Sequence, residues 1–376
     1  MRTGLIEKLE LNDNSINILI IGGAGFIGSH LTEALLEKSG WSVLVIDQEI
    51  DKISHLVGHP RLDLCSVDYT CFEELGRVIS SSDAVVSLAA ICNPSLYMDS
   101  AKEVIKSNFT NPQIIADLCA KEKKWLIHLS SSEVFGRTMV GEMKRRGLKN
   151  IAIDDKLQVL NEDSAFILGP IDETRWSYAS AKQLFERYLY ALGKEESLAW
   201  TIIRPFNFIG PRMDYINGID GCGIPRVLAV FMEKLLKGQN LPLVDGGEAK
   251  RVFTDIRDAV EAMIAVLTNP IISFSRILHI GNPDNEMSIK ELAATIIDVA
   301  RQMPKYKPAG VEHVDGEIFY GKGYADSDRR ILDVTILDNL YGWRPKYSLE
   351  QTIRDTMYWF IDHYGSKMHN EDYSLP

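Results

Sequence analysis

Short apolar runs alternate with helix-spaced apolar positions through the first half of the chain. Residues 16–21 form a nearly continuous apolar run that ends in glycines and reads as a buried strand. Residues 26–38 carry apolar side chains at helical spacing, and 43–46 read as a second strand closed by Asp47. Further strands are predicted at 84–88, 126–129 and 200–203, with helices at 101–120 and 180–192 between them. Strands that are apolar throughout, alternating with helices, imply an α/β fold with a parallel sheet covered on both faces.

The pattern changes after Arg204-Pro205. Gly and Pro become denser through Gly223, 253–267 reads as a helix, and 277–280 reads as a strand. This half is expected to be a smaller C-terminal substrate domain. The expected division is 16–205, with segments near 253–281 returning to the sheet, and 206–364. The polar residues after Tyr364 are expected to be loose.

Gly22-Gly-Ala-Gly25-Phe26-Ile27-Gly28 follows the first strand and opens the first helix. Such glycines permit a tight turn, a close approach of backbone to a pyrophosphate, and close helix–strand packing. The helix N-terminus adds free N–H groups and a positive dipole end. Asp47 ends the second strand about twenty positions on, where an acid holds the adenosine ribose. Its carboxylate would repel a 2′-phosphate, so the cofactor is expected to be NAD in a Rossmann-type, doubly wound sheet. Asp68 is placed at the adenine, or is an isolated surface acid. Ala89 and Ala90 are small enough for a cofactor to pass close to the backbone.

Tyr178-Ala-Ser-Ala-Lys182 sets a tyrosine and a lysine on one helix face. A tyrosine with an ordinary pKa of about 10 becomes a usable base when cations stabilise its phenolate. Ser130-Ser131-Ser132 ends the 126–129 strand and offers a hydroxyl to complete the set.

Together these motifs resemble the extended short-chain dehydrogenase/reductase family over nearly the whole chain. The resemblance implies that Ser131 polarises the reacting oxygen, Tyr178 takes the proton, and Lys182 tunes the tyrosine and holds the ribose. Ser131-Ser132-Glu133 is nearest to the motif of the family's glucuronate decarboxylases and lacks a dehydratase's acidic aspartate. The stretches 175–184, 204–214, 218–221 and 319–330 resemble the UDP-apiose/UDP-xylose synthases closely, and bacterial UDP-glucuronate decarboxylases more distantly.

That likeness implies oxidation of UDP-glucuronate at C4, then loss of CO2. Glu133, with or without a water, or Ser132 would protonate C5. Arg330 would handle the sugar carboxylate, with Arg175 as a second candidate. Cys92 and Tyr97 match sugar-site positions, although a cysteine is more often a small buried hydrophobe. Ser132 stands where the synthases have a second cysteine, which bears on ring contraction to apiose. Asn207, Arg212, Arg226 and Arg251 match or adjoin positions that grip the UDP or sugar, the alternative being surface or structural charges. Arg257 reads as a fold-internal ion pair. An insert at 138–166 is expected over the site, or as a surface loop. The second half is then a nucleotide-sugar-binding domain, and the resemblance implies a homodimer.

Composition narrows the remaining classes. The net charge of -11 argues against broad nucleic-acid binding. Five cysteines without a CxxC or Cys/His cluster fit free thiols in the cytoplasm and give no metal site. The first residues lack a signal peptide's apolar core, and no apolar run is long enough for a membrane span. Two alternatives stay open: a UDP-uronate 4-epimerase or a related dehydratase, and a non-catalytic NAD(H) sensor.

Overall fold

The computed structural model describes residues 4–10, 15–148, 159–303, 310–321, 327 and 329–369. Seven parallel strands form the main sheet: β1 (Asn17–Ile21), β2 (Ser42–Asp47), β3 (Leu62–Ser66), β4 (Ala84–Ser87), β5 (Trp125–Leu129), β6 (Trp200–Pro205) and β7 (Arg276–Ile280). Their order is β7-β6-β5-β4-β1-β2-β3. The order reverses direction at β1, which lies between β4 and β2. Open α/β sheets bind ligands beyond the strand ends at such a point.

Alternation within β1 shows why its sequence is apolar throughout. Ile18 and Ile20 join one buried cluster, and Leu19 and Ile21 join another on the opposite face. Helix α1 (Phe26–Lys38) packs in the first cluster. Helices α2 (Asn111–Lys121) and α3 (Ser177–Glu195) pack in the second.

Three features depart from the periodicity reading. β3, with the sequence Leu-Asp-Leu-Cys-Ser, is an edge strand with two of its five side chains exposed and none fully buried, so it lacks an apolar run. The expected helix over 253–267 opens instead with a two-residue strand, Thr254–Asp255. The helix proper is Ile256–Thr268, and the Asp255 side chain caps it by accepting from the Arg257 amide at 2.7 Å. The expected helix over 101–120 is interrupted by a π-helical turn at Lys106–Thr110.

In the second half, a four-stranded sheet runs Glu286–Ser288, Lys250–Val252, Arg329–Leu332, Val159–Leu160. Its last strand comes from the 138–166 insert, of which 149–158 lie outside the described residues. The insert is stapled at its far end too. The Arg137 amide donates to the Ile167 carbonyl at 2.8 Å, and the Ile167 amide to Phe135 at 3.0 Å. Gly136, at φ 66°, makes this approach possible, because a Cβ there would lie 2.1 Å from the Ile167 carbonyl oxygen. Arg257 pairs with Asp255 at 2.6 Å and Asp355 at 2.8 Å, inside the fold. Among the described residues, no helix is long and apolar enough to cross a membrane.

Gly136→Ala is expected to destabilise the fold by more than about 1 kcal/mol, since alanine resists positive φ and meets backbone here. Urea unfolding should give a lowered midpoint. An unchanged midpoint would show that the staple yields freely.

Candidate active site

The carboxyl ends of β1, β2, β4 and β5 deliver four short segments to one edge. After β1 the chain turns through Gly22, at φ 86°, and enters α1. A Cβ on Gly22 would lie 2.6 Å from the Ala89 nitrogen, and one on Gly28 would lie 2.2 Å from the Gly22 oxygen. The turn is therefore packed against β4 and its own helix by bare backbone. Gly25 is the N-cap and supplies no side-chain cap, leaving the first helical N–H groups for an anion. Phe26 and Ile27 open the helix, and Ile27 lines the cleft.

Asp47 ends β2 beside this turn. Its carboxylate accepts from the Ala24 amide at 2.9 Å and the Gln48 amide at 2.8 Å. Burial pushes its pKa up, and these amides oppose the rise. Asp68 follows β3, is exposed, and accepts from the Thr70 amide at 2.9 Å and hydroxyl at 2.8 Å. It thus caps the turn Tyr69–Cys71. Ala90 lines the cleft. A tight glycine cradle, an uncapped helix start and a partly buried carboxylate fit an adenine dinucleotide.

A cleft of about 330 Å³ opens from this edge. Ser131, Ser132 and Glu133 follow β5 and line it, as do Tyr178 and Lys182 from α3. The Ser131 hydroxyl accepts from the Glu133 amide at 3.1 Å and lies near enough to Tyr178 to lower its pKa. The Tyr178 ring stacks on Tyr97 at 4.8 Å with 7° between planes. Lys182 is buried and donates from Nζ to the Leu129 carbonyl at 2.9 Å.

Burial, then Cys92, pushes the Tyr178 phenol above its ordinary range, and only then does Ser131 oppose the rise. The expected stabilisation comes from Lys182 together with the nicotinamide cation of NAD, and the protein's own groups leave the phenol high. Burial also draws Lys182 down to about 8. A cation beside a phenol lowers its pKa.

Glu133 sits between two buried arginines, 2.6 Å from Arg175 and 2.6 Å from Arg330. Despite burial, this pairing holds its carboxyl well below the usual range. The resemblance offers Glu133, with or without a water, or Ser132 as the proton source for C5; here Glu133 is an ion-paired carboxylate. Arg175 also lies 5.2 Å from the Tyr97 ring. Cys92 is exposed at the cleft, not buried as a small hydrophobe.

Asn207, Arg226 and Arg251 line the cleft from the second half. Asn207 donates to the Val252 carbonyl at 2.9 Å. Arg226 is held by Asp214, Nε to Oδ1 at 2.9 Å, and Asp214 in turn accepts Lys52 on its carbonyl at 2.6 Å. Arg212 does not reach the cleft. It pairs with Glu33 of α1 at 2.5 Å and meets His30 at 2.8 Å, tying the two halves together. Arg212 and Asp214 both have positive φ, 64° and 52°.

Two groups escaped the sequence patterns. Asn108, buried in the π-helical turn, donates to the carbonyls of Ile91 and Val104, each at 2.9 Å. It thereby pins the loop that carries Ala90 and Cys92; a lone polar residue inside an apolar helical pattern was the available signal. Phe319 and Tyr320 line the cleft from a short helix, Gly316–Tyr320, and only the fold brings them there. Among the described residues, no group of three His, Cys, Asp or Glu side chains is placed to hold a metal.

The sequence profile of the NAD dependent epimerase/dehydratase family matches residues 18–281. The chain belongs to that family. NAD is accordingly its cofactor, and the glycine cradle with Asp47 is where the residues fit it. The chain is 40% identical over 364 residues to a UDP-D-apiose/UDP-D-xylose synthase of Oryza sativa subsp. japonica, covering 93% of this chain and 91% of that protein. It is 41% identical over 354 residues to UDP-D-apiose/UDP-D-xylose synthase 1 of Arabidopsis thaliana, covering 91% and 90%. The PbgP3 protein from Burkholderia pseudomallei superposes with a TM-score of 0.76 at 29% identity, over 95% of this chain and 98% of that one. UDP-glucuronic acid 4-epimerase from Bacillus cereus shares the fold, with a TM-score of 0.73 at 21% identity over 93% and 100%.

Gly28→Ala should weaken NAD binding about ten-fold or more, because the added methyl must push the turn away from the helix. Isothermal titration reads the change. An unaltered Kd would mean that the cradle is not the cofactor site.

Proposed function

We propose that this protein is an NAD-dependent UDP-glucuronate decarboxylase of the apiose/xylose synthase type. One observation carries the reading: Tyr178 shares its cleft with two arginines clamped on Glu133, a charge arrangement suited to a carboxylated sugar. The 40–41% identity to synthases of that name over most of the chain supports it.

Bound NAD supplies the hydride acceptor for the oxidation and the hydride donor for the closing reduction. Ser131 orients the C4 hydroxyl and Tyr178 takes its proton, with Lys182 behind. Oxidation makes C4 a ketone, β to the C6 carboxylate. The C5–C6 bond then breaks, CO2 leaves, and its electron pair stays on the sugar as an enolate. Arg330 and Arg175 hold the carboxylate before it leaves. Protonation at C5 needs a donor. Glu133, held as a carboxylate, orients a water that gives C5 its proton and is itself reprotonated from solvent; the Ser132 hydroxyl lines the same wall, and Tyr178 returns its proton to the C4 oxygen when hydride comes back. Arg226, Arg251, Asn207 and Tyr97 hold the UDP and sugar, Cys92 faces the sugar, and Asp68 flanks the adenine. Arg212 is left out of this set. In this reading residues 16–205, with segments near 253–281, form the NAD-binding domain and 206–364 the nucleotide-sugar-binding domain, while Cys92, Tyr97 and Arg175 reach the sugar from the first.

A cytoplasmic homodimer completes the proposal. Its support is the free state of all five cysteines and a set of exposed apolar residues on neighbouring helices. These are Ile105 and Ile114 beside Leu184 and Tyr190.

The test is incubation of the purified protein with NAD and UDP-glucuronate, with products followed by NMR and mass spectrometry. CO2 release with a pentose spectrum is expected. UDP-galacturonate with its carboxylate intact would make the protein an epimerase, and cofactor binding without turnover would make it an NAD(H) sensor. Tyr178→Phe should abolish turnover, by about 100-fold or more, while NAD still binds; normal turnover would remove Tyr178 from its role. Arg330→Ala should slow CO2 release far more than it weakens NAD binding, and equal release rates would remove the carboxylate role.

A further inference from the structure

Directly behind the cleft, four buried side chains form one polar chain. Ser130, the residue before Ser131, donates to Glu186 Oε1 at 2.5 Å. Arg204 grips the same carboxylate, Nε to Oε1 at 3.0 Å and Nη2 to Oε2 at 2.6 Å. Its remaining nitrogen lies 3.3 Å from His279 Nε2. The Arg204 guanidinium also sits 4.8 Å from the Phe135 ring and 5.3 Å from Phe166. The four polar residues come from the end of β5, from α3, from β6 and from β7, and none is more than 5% exposed.

Spacing links this chain to the chemistry. Tyr178, Lys182 and Glu186 stand at i, i+4 and i+8 and share one face of α3. A buried ion pair contributes little net stability, because desolvation cancels most of its attraction. What it supplies instead is a unique arrangement of the elements that carry it.

We propose that Glu186 is a positioning residue for the reaction. Tied to Ser130 and Arg204, it fixes helix α3 against the strand end that carries Ser131. It also holds a carboxylate one helical turn beyond the Lys182 ammonium. The inference rests on the roles given above to Tyr178, Lys182 and Ser131.

The surrounding charges give it a measurable consequence. Lys182 faces Cys92 from the loop after β4, His128 from β5, and Tyr178 and Glu186 from its own helix. Tyr178 further faces Glu133 and Arg226. Burial keeps His128 and His279 neutral, the latter beside Arg204 and Asp333. Burial lowers the pKa of Lys182, whereas Cys92 and Glu186 oppose the fall. Removing the Glu186 charge therefore makes the ammonium lose its proton at lower pH, and the alkaline fall in activity moves with it.

Two readouts test this. In protein labelled with 13Cε-lysine, the Lys182 signal is identified by its loss in Lys182→Met. Its titration is expected near pH 8 in the unaltered protein. In Glu186→Gln it should fall by about one unit, and in Glu186→Asp it should stay near the starting value. In steady-state assays of CO2 release, Ser130→Ala keeps the Arg204–Glu186 pair. Its kcat should drop about ten-fold with KM held within about two-fold. Equal Lys182 titrations in Glu186→Gln and the unaltered protein would overturn the proposal, as would an unchanged kcat in Ser130→Ala. Should Glu186→Gln not fold, Glu186→Asp decides with Ser130→Ala. Its shorter arm should lower kcat, and an unaltered kcat in both overturns the proposal. An unaltered protein that releases no CO2 counts against the proposed function alone, since the lysine titration needs no substrate.

Discussion

Seven strands that all run the same way bring their carboxyl ends to one edge, and the site is built from the segments that leave those ends. Gly22 comes after β1, Asp47 closes β2, Ala89 and Ala90 come after β4, and Ser131 to Glu133 come after β5. A parallel ladder makes this possible because each strand must return by a crossover on one face or the other. The helices of those crossovers then cover the sheet. Its inner strands are mostly apolar on both sides, and most of the polar chemistry sits at the rim.

That rim is buried, so its charges must be paired. Glu133 with Arg175 and Arg330, Asp214 with Arg226, and Glu186 with Arg204 are three solutions to the same problem. The first joins segments far apart in the chain, and the other two span 12 and 18 residues. Such pairs are costly to desolvate and weak as sources of stability. Their value lies in the geometry they impose. The first holds the proposed carboxylate-handling arginines, the second a cation at the cleft, and the third the helix that carries Tyr178 and Lys182. The pairing also acts on the group itself: two guanidinium groups favour the charged form of the glutamate between them.

Sequence patterns were most informative where one element contains the whole signal. The glycine turn, Asp47 at the end of β2, and Tyr178 with Lys182 on one helix are local arrangements fixed by strand and helix periods. Buried strands were readable because both faces are apolar. β3 was not, since an edge strand needs no apolar run. The short strand before the helix Ile256–Thr268 was hidden because Thr254 and Asp255 carry no apolar alternation.

The sequence alone therefore determined the alternation of the buried strands with helices, the glycine turn after β1, and the residue types of the proposed reacting centre, because these depend on neighbours within a few positions. Tertiary structure decided which charges meet. It sent Arg212 to Glu33 instead of the cleft, clamped Glu133 between Arg175 and Arg330, and brought Phe319 and Tyr320 to the cleft wall. Electrostatic pairing depends on distance in space and on burial, and neither is written in the spacing of residues along a chain.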